Sequence, residues 1–151
     1  FYPTPIDEIS EEHWDKLIGS NLKGPLFLIQ GLKDKLIESR GSIVNITDTN
    51  LSKGVANFSI YASAKGGLES ITKVLARELA PEVNVNAIAP GAMLEPPDVT
   101  WTEEQKEKVI ANIPLKKMGS EKDIANTVKF VVSSKYMTGQ IIKVDGGRSL
   151  S

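Results

Sequence analysis

Ser42-Ile43-Val44-Asn45-Ile46-Thr47-Asp48, then Ser59-Ile60-Tyr61-Ala62-Ser63-Ala64-Lys65, then Val83-Asn84-Val85-Asn86-Ala87-Ile88-Ala89-Pro90-Gly91 follow one another within residues 42–91, and their order decides the fold. The first run is short and apolar, opened by Gly41, and predicts a strand at about 42–47. From Ser59 to Leu79 the apolar residues Ala64, Leu68, Ile71, Leu75 and Leu79 recur along one stripe, which predicts a long helix. Pro81 ends it. The third run predicts a strand at about 83–88 that leads into a Pro90-Gly91 turn. A helix of that length between two strands is a crossover, so the strands are expected to be parallel with a right-handed connection.

Upstream, Ser10 is placed to cap a helix carrying Trp14, Leu17 and Ile18 on one face. Gly19 and Gly24 weaken that helix, and Pro25 at its centre demands a bend or a break. The apolar run Leu26-Phe27-Leu28-Ile29 continues it toward Leu32 and Leu36, and Glu38-Ser39-Arg40-Gly41 stops it. Downstream, residues 92–120 contain Pro96-Pro97, Trp101 and Pro114 and read as a loop bearing one short helix, with Glu103, Glu104, Lys106, Glu107 and Lys108 as its solvated face. A last helix is expected at about Glu121 to Ser134, with Ile124, Val128, Val131 and Val132 inward, and a last strand at about 140–144. The fold class is therefore α/β, with about three parallel strands and flanking helices. In a sheet this thin, an unpaired apolar strand edge is a hazard unless something covers it.

Tyr61 and Lys65 stand four apart, so on a helix they share one face, a turn apart. An ammonium beside a phenol stabilises phenolate and is expected to lower the tyrosine pKa. That suits a tyrosine that gives a proton to a carbonyl or imine as hydride arrives. Asp48 closes the first strand, thirteen positions before Tyr61. The Tyr-x-x-x-Lys pair alone is weak, and Asp48-Thr49-Asn50 is also turn chemistry. Context carries the functional reading.

That context is five motifs in order: Asn21-Leu22-Lys23-Gly24, Gly41 to Ile46, Tyr61 to Lys65, Pro81 to Gly91, and Thr138-Gly139-Gln140-Ile141-Ile142-Lys143-Val144-Asp145-Gly146-Gly147. Over nearly the whole chain they resemble the C-terminal portion of a short-chain dehydrogenase/reductase. The family usually has serine where Asp48 stands; aspartate there, the opening Phe1-Tyr2-Pro3-Thr4-Pro5, Gly67 to Thr72 and Val144 to Leu150 are similar to its pteridine reductase branch. The resemblance implies part of a Rossmann-like, doubly wound parallel sheet, with residues 1–151 a single partial domain. It also implies NADPH-dependent reduction of a pterin or dihydropterin in the complete enzyme, NADH not being excluded. Asp48, Tyr61 and Lys65 would be catalytic. Tyr61, Lys65, Pro90, Gly91, Ala92 and Met93 would hold the nicotinamide end of the cofactor, and Phe1, Asp48 and Tyr61 the substrate, with Phe1 stacked on the pterin ring. Asn21 would hold a water that relays protons to the lysine, or else merely kink its helix. The alternative substrate is a 3-oxoacyl thioester or another carbonyl, and an alternative of another class is a non-catalytic fragment or interaction module.

The Gly-rich turn that cradles a dinucleotide pyrophosphate is missing from the sequence: Gly66-Gly67 and Gly146-Gly147 do not lead from a strand into a helix. The chain therefore reads as a piece of a larger enzyme, inactive alone, with the missing N-terminal half or copies of itself as expected partners. Net charge is −1, from 18 basic and 19 acidic residues. No basic block points to nucleic acid. With no cysteine, disulfides and thiolate metal sites are excluded, and a reducing cytoplasm is the expected location. No apolar run reaches the length of a membrane span. His13, the sole histidine, lacks a second ligand at metal spacing and reads as a solvated helix residue, so no metal is expected. Met93 and Trp101 are candidates to line the substrate pocket.

Overall fold

The computed structural model describes residues 1–93 and 100–150. The expected loop around Pro96-Pro97 lies outside the described residues. The elements are α1 (Glu11–Ile18), α2 (Gly24–Glu38), β1 (Ser42–Ile46), α3 (Ser59–Glu78), β2 (Asn84–Pro90), α4 (Glu103–Ala111), α5 (Glu121–Ser133) and β3 (Ile141–Val144). The three strands form one parallel sheet in the order β1-β2-β3. Val44 lies opposite Asn86, and Ile88 opposite Ile142.

Alternation along the strands divides the side chains between two layers. Val83 and Val85 join Ile29 of α2 and Leu75, Ala76 and Leu79 of α3 in one apolar cluster, with Leu26, Leu36, Ile37 and Ile43 against it. On the opposite face α5 packs across all three strands. Central β2 is the most deeply buried strand, with Val85, Ala87 and Ile88 fully inaccessible. Burying an aliphatic side chain contributes about 1.5–3 kcal/mol, so β2 is the anchor on which both layers depend. β1 is outermost and pairs with β2 alone among the described strands, and its Ile46 is 41% exposed.

Ser10 caps α1 as expected, its hydroxyl accepting the His13 N–H at 3.2 Å. The bend demanded by Pro25 takes a specific form. Residues Gly19–Lys23 make a π-helical turn, and α2 restarts with Pro25 in its first turn, where a missing N–H costs no intrahelical bond. Leu22 of this turn lies against α3 at Gly67, where an added Cβ would come within 2.8 Å of the leucine Cδ2.

Two expectations about packing need correction. Val132 was expected inward, yet it is 39% exposed while Val131 is buried; adjacent helical residues lie about 100° apart, and the sheet takes only one of them. His13 was expected in solvent, but it is half-buried. Its ring packs edge-on to Tyr2 at 5.9 Å, because the N-terminal segment covers the first turn of α1. The charged face of α4 is as expected, with exposed pairs Lys106–Glu103 and Lys108–Glu104. No described helix is long and apolar enough to cross a membrane.

Candidate active site

The site lies at the carboxyl ends of β1 and β2, where ligands of open parallel sheets bind. β1 ends at Ile46, and the chain turns through Asp48 into a short 3-10 turn, Thr49–Ser52. Asp48 caps that turn: its Oδ1 accepts the Asn50 N–H at 2.7 Å. The same bond fixes the carboxylate's orientation and leaves Oδ2 to accept the Tyr61 hydroxyl at 3.1 Å. Thr49 donates its hydroxyl to the Pro90 carbonyl at 3.0 Å, which ties the Asp48 loop to the end of β2.

Tyr61 sits in the first turn of α3, and Lys65 one turn on. The Lys65 ammonium donates to the carbonyl of Ile46 at 2.8 Å and lies 5.7 Å from the Tyr61 ring centroid. The expected lowering of the tyrosine pKa does not occur. Tyr61 is pushed well above its ordinary 10.0, first by burial and then by Asp48, whose carboxylate opposes a phenolate and accepts the phenol's hydrogen bond. Lys65 is held below its ordinary 10.5 by desolvation, with Asp48 pulling weakly the other way. The carboxylate touches the phenol; the ammonium is turned toward a backbone carbonyl.

Two cavities meet at the Asp48–Tyr61 pair. One is an open cleft of about 580 Å³ lined by both residues and by Ile46, Thr47, Pro90, Gly91, Met93 and the start of α5. The other is a small, mainly apolar cavity of about 40 Å³, walled by Phe1, Leu51, Val55 and Phe58 with Asp48 and Tyr61. Phe1 stacks on Phe58 at 5.0 Å and 18° between planes, and meets Tyr61 edge-on at 4.8 Å.

The structure thus brings together Phe1, Asp48, Tyr61, Lys65, Pro90, Gly91 and Met93. Ala92 turns away, its carbonyl accepting the Gly119 N–H at 2.9 Å. The Gly91 N–H is committed to Val144, and an alanine there would place its Cβ 2.6 Å from the Asp145 Cα. Asn21 serves the helix bend, its amide donating to the Leu17 carbonyl and the Ser20 hydroxyl, each at 3.0 Å. Trp101 is half-buried and lines neither cavity. Sequence reasoning missed Phe58 and Thr49. Phe58 had a usable signal, three residues before Tyr61 and hence a neighbour across the start of α3.

The profile described as enoyl-(acyl carrier protein) reductase matches residues 2–149. The chain belongs to the short-chain dehydrogenase/reductase family. Family relatives include the 3-oxoacyl-[acyl-carrier-protein] reductase FabG of Staphylococcus epidermidis, 38% identical over 143 residues, which are 92% of this chain and 59% of that protein. The (3R)-3-hydroxyacyl-CoA dehydrogenase of Mus musculus is 39% identical over 144 residues, 92% of this chain and 56% of that one. An apo SCOR enzyme from Clostridium thermocellum superposes with a TM-score of 0.88 at 35% identity, over 99% of this chain and 59% of its own. This chain therefore spans somewhat more than half the length of these relatives, and its α/β core is Rossmann-like. By family it is an oxidoreductase.

The residues present fit the nicotinamide end of a dinucleotide. The cleft opens at the strand ends with Tyr61 in its wall, and the half-buried Lys65 donates to the carbonyl of Ile46, another residue of that wall. A Gly-rich cradle for the pyrophosphate is not in the sequence.

Proposed function

We propose that this chain carries the proton-delivering side of an NAD(P)H-dependent reductase whose complete form reduces a carbonyl of the 3-oxoacyl thioester class. The observation that carries the reading is the Tyr61 hydroxyl, 3.1 Å from Asp48, presented to the cleft at the strand ends. The activities of the relatives FabG and (3R)-3-hydroxyacyl-CoA dehydrogenase support this substrate class over the pterin first expected. A reduced nicotinamide would supply hydride. Lys65, Gly91 and Met93 would hold it, and Tyr61 would donate the proton. Asp48 positions the phenol, and the Thr49–Pro90 bond holds the two loops of the site in register. Residues 1–151 are read as part of one catalytic domain, cytoplasmic and oligomeric in its complete form.

A second reading, a pterin or dihydropterin substrate, is favoured by one specific feature. An aspartate rather than a hydroxyl stands beside Tyr61, and the aromatic rings of Phe1 and Phe58 wall the small cavity next to them. A carboxylate accepts from ring N–H and amino donors, which a thioester carbonyl does not offer.

The test is turnover of acetoacetyl-coenzyme A against dihydrobiopterin by the complete enzyme, in wild type and in Asp48→Ser. The thioester reading expects acetoacetyl-coenzyme A to be preferred and Asp48→Ser to retain that activity. Preference for dihydrobiopterin, lost in Asp48→Ser, would instead establish the second reading. In either case Tyr61→Phe is expected to lower kcat by about 10²–10⁴-fold; an unchanged kcat would remove Tyr61 from the chemistry.

A further inference from the structure

β1 and β2 pair as far as Ile46 and Ile88, and the ladder then meets a proline. In a parallel pair the Thr47 N–H bonds the Ile88 carbonyl, and the next two bonds run from the Pro90 N–H to Thr47 and from the Thr49 N–H to Pro90. The first of the three is made, at 2.8 Å, and the Thr47 hydroxyl reinforces it at 3.3 Å. The second cannot form, because proline has no N–H. At the third the turn through Asp48 puts the Thr49 hydroxyl in place of the amide, and it donates to the Pro90 carbonyl at 3.0 Å. Thr49 thus supplies from its side chain a rung that the backbone does not make. It is 3% exposed, so water does not compete for that carbonyl.

The two ends of this rung belong to the two halves of the site. Asp48, next to Thr49 in the chain, accepts the Tyr61 hydroxyl at 3.1 Å. Pro90 opens the turn whose Gly91 and Met93 line the open cleft, and the Gly91 N–H fixes that turn to Val144 on its other side. A second tie reaches the Asp48 loop from β3. The Lys143 ammonium donates to Ser52 Oγ at 3.2 Å, and Ser52 Oγ donates to the Thr49 carbonyl at 3.0 Å. Lys143 is exposed, so this tie stands in water while the Thr49 tie does not.

We propose that Thr49 is a positioning residue for proton delivery: through Pro90 it fixes the separation between the Tyr61 hydroxyl and the turn that would hold the reduced nicotinamide. The inference rests on the reductase reading and applies to either substrate class. In the reaction the substrate carbon gains hydride from the nicotinamide, the π pair passes to its oxygen or nitrogen, and that atom takes the Tyr61 proton. A reduced product, oxidised nicotinamide and a phenolate result, and the phenolate is reprotonated from solvent. Hydride and proton come from opposite ends of the Thr49 rung, so its length sets whether both reach one substrate bond. Valine has nearly the shape of threonine but no donor, and it would leave the buried Pro90 carbonyl unpaired.

The experiment uses wild type, Thr49→Val, Thr49→Ser and Lys143→Met. One Pro-Gly pair occurs in the sequence, Pro90-Gly91. Labelling the 151-residue chain with ¹³C-carbonyl proline and ¹⁵N-glycine therefore gives one correlated NMR signal that reports the Pro90 carbonyl. That signal should move in Thr49→Val, return in Thr49→Ser and stay in place in Lys143→Met. In the complete enzyme Thr49→Val should lower kcat about 10- to 100-fold, the cost of a misplacement of about 1 Å, with both KM values little changed. Deuterium at the transferred position of the reduced nicotinamide should slow Thr49→Val more than wild type, since the chemical step would then limit turnover. Thr49→Ser should recover most of kcat, and Lys143→Met should stay within about twofold of wild type.

An unmoved Pro90 signal in Thr49→Val, or a kcat within about twofold of wild type, would overturn the proposal. So would an equal fall in Lys143→Met, or a fall in Thr49→Val that serine does not rescue and that leaves the isotope effect unchanged; Thr49 would then be structural only. No reduction of any carbonyl or imine by the wild-type complete enzyme would overturn it by removing the reductase reading, and that failure is told apart because no variant is involved. If Thr49→Val fails to fold, Thr49→Ala measured beside Thr49→Ser decides the same question.

Discussion

Replacing Asn86 with alanine should destabilise the chain by about 3 kcal/mol, and the structure shows where that figure comes from. Asn86 is 1% exposed. Its Nδ2 donates to the Met137 carbonyl at 2.9 Å, and its Oδ1 accepts the Gln140 N–H at 3.0 Å. Together they pin the loop between α5 and β3 onto the central strand. Each net hydrogen bond contributes about 1 kcal/mol, and each buried group left unpaired costs about 1–3 kcal/mol. Two lost bonds with partial access of water to the loop give about 3 kcal/mol. Asn84, on the same strand face, donates to Ser134, Lys135 and Met137 at 3.4, 3.3 and 3.0 Å. It is only half-buried, so Asn84→Ala should cost about 1 kcal/mol or less. The assay is equilibrium urea unfolding followed by far-UV circular dichroism, with the slope checked for constancy between variants. A loss below about 1 kcal/mol for Asn86→Ala, or an equal loss for the two asparagines, would refute the claim that burial sets the value of these bonds.

Gly66→Ala should stabilise the chain by about 0.5–1 kcal/mol, since it lies inside α3 with nothing within 4 Å of the added Cβ and glycine is the poorer helix former. Gly67→Ala should forfeit that gain by driving into Leu22, and the two thermal midpoints compared side by side will show it. Thr72→Val removes the hydroxyl that accepts the buried Asn45 amide at 2.9 Å and should cost about 1–3 kcal/mol in urea unfolding. The alkaline limb of stability should carry two opposed signs. Lys65 has its folded pKa below 10.5, so stability should rise with pH from that folded value up to 10.5, where the unfolded chain holds more protons. Tyr61 has its folded pKa above 10.0, so its contribution is fully present below pH 10.0 and is lost as pH rises beyond it. Tyr61→Phe should abolish that fall, as read from urea midpoints between about pH 8 and about pH 11.

The parallel sheet was legible because short apolar runs alternate with helical segments, α3 between β1 and β2 carrying a clear 3.6-residue stripe. The element bounds moved by only a residue or two. What the periodicity concealed was the role of the polar strand residues. Val83-Asn84-Val85-Asn86 reads as an amphipathic strand with one wet face, yet Asn86 is buried because a loop more than fifty residues away needs its two bonds. Long-range polar pairing leaves no periodic trace. Asp48, Tyr61 and Lys65 were legible by type and spacing, and their assembly in space follows from the crossover. The direction of the Tyr61 pKa was not, since helical spacing places Lys65 near the ring but says nothing of the Ile46 carbonyl that draws its ammonium away. Phe58 was legible only as a neighbour of Tyr61 three residues on; its contact with Phe1, distant in sequence, exists only once the chain has folded.

The geometry at Asp48 also orders the substrate classes by what each leaves unpaired. Asp48 Oδ1 is occupied by the Asn50 N–H, and Oδ2 holds the phenol proton of Tyr61. Burial first, and then the carboxylate at 3.1 Å, raise the Tyr61 pKa above its ordinary 10.0. The phenol therefore stays protonated at neutral pH, which is the form that can donate. A substrate carbonyl brings only an acceptor. It draws the phenol proton to itself and leaves Oδ2 without its donor, at a cost of about 1–3 kcal/mol where water does not reach. A ring that brings an N–H beside its acceptor atom can fill both positions at once. A serine at position 48 would lower that cost for a carbonyl, because a hydroxyl can turn to donate. On the proposed carbonyl reading, Asp48→Ser should therefore keep or raise turnover of the thioester, and a loss of that turnover would refute the pairing argument.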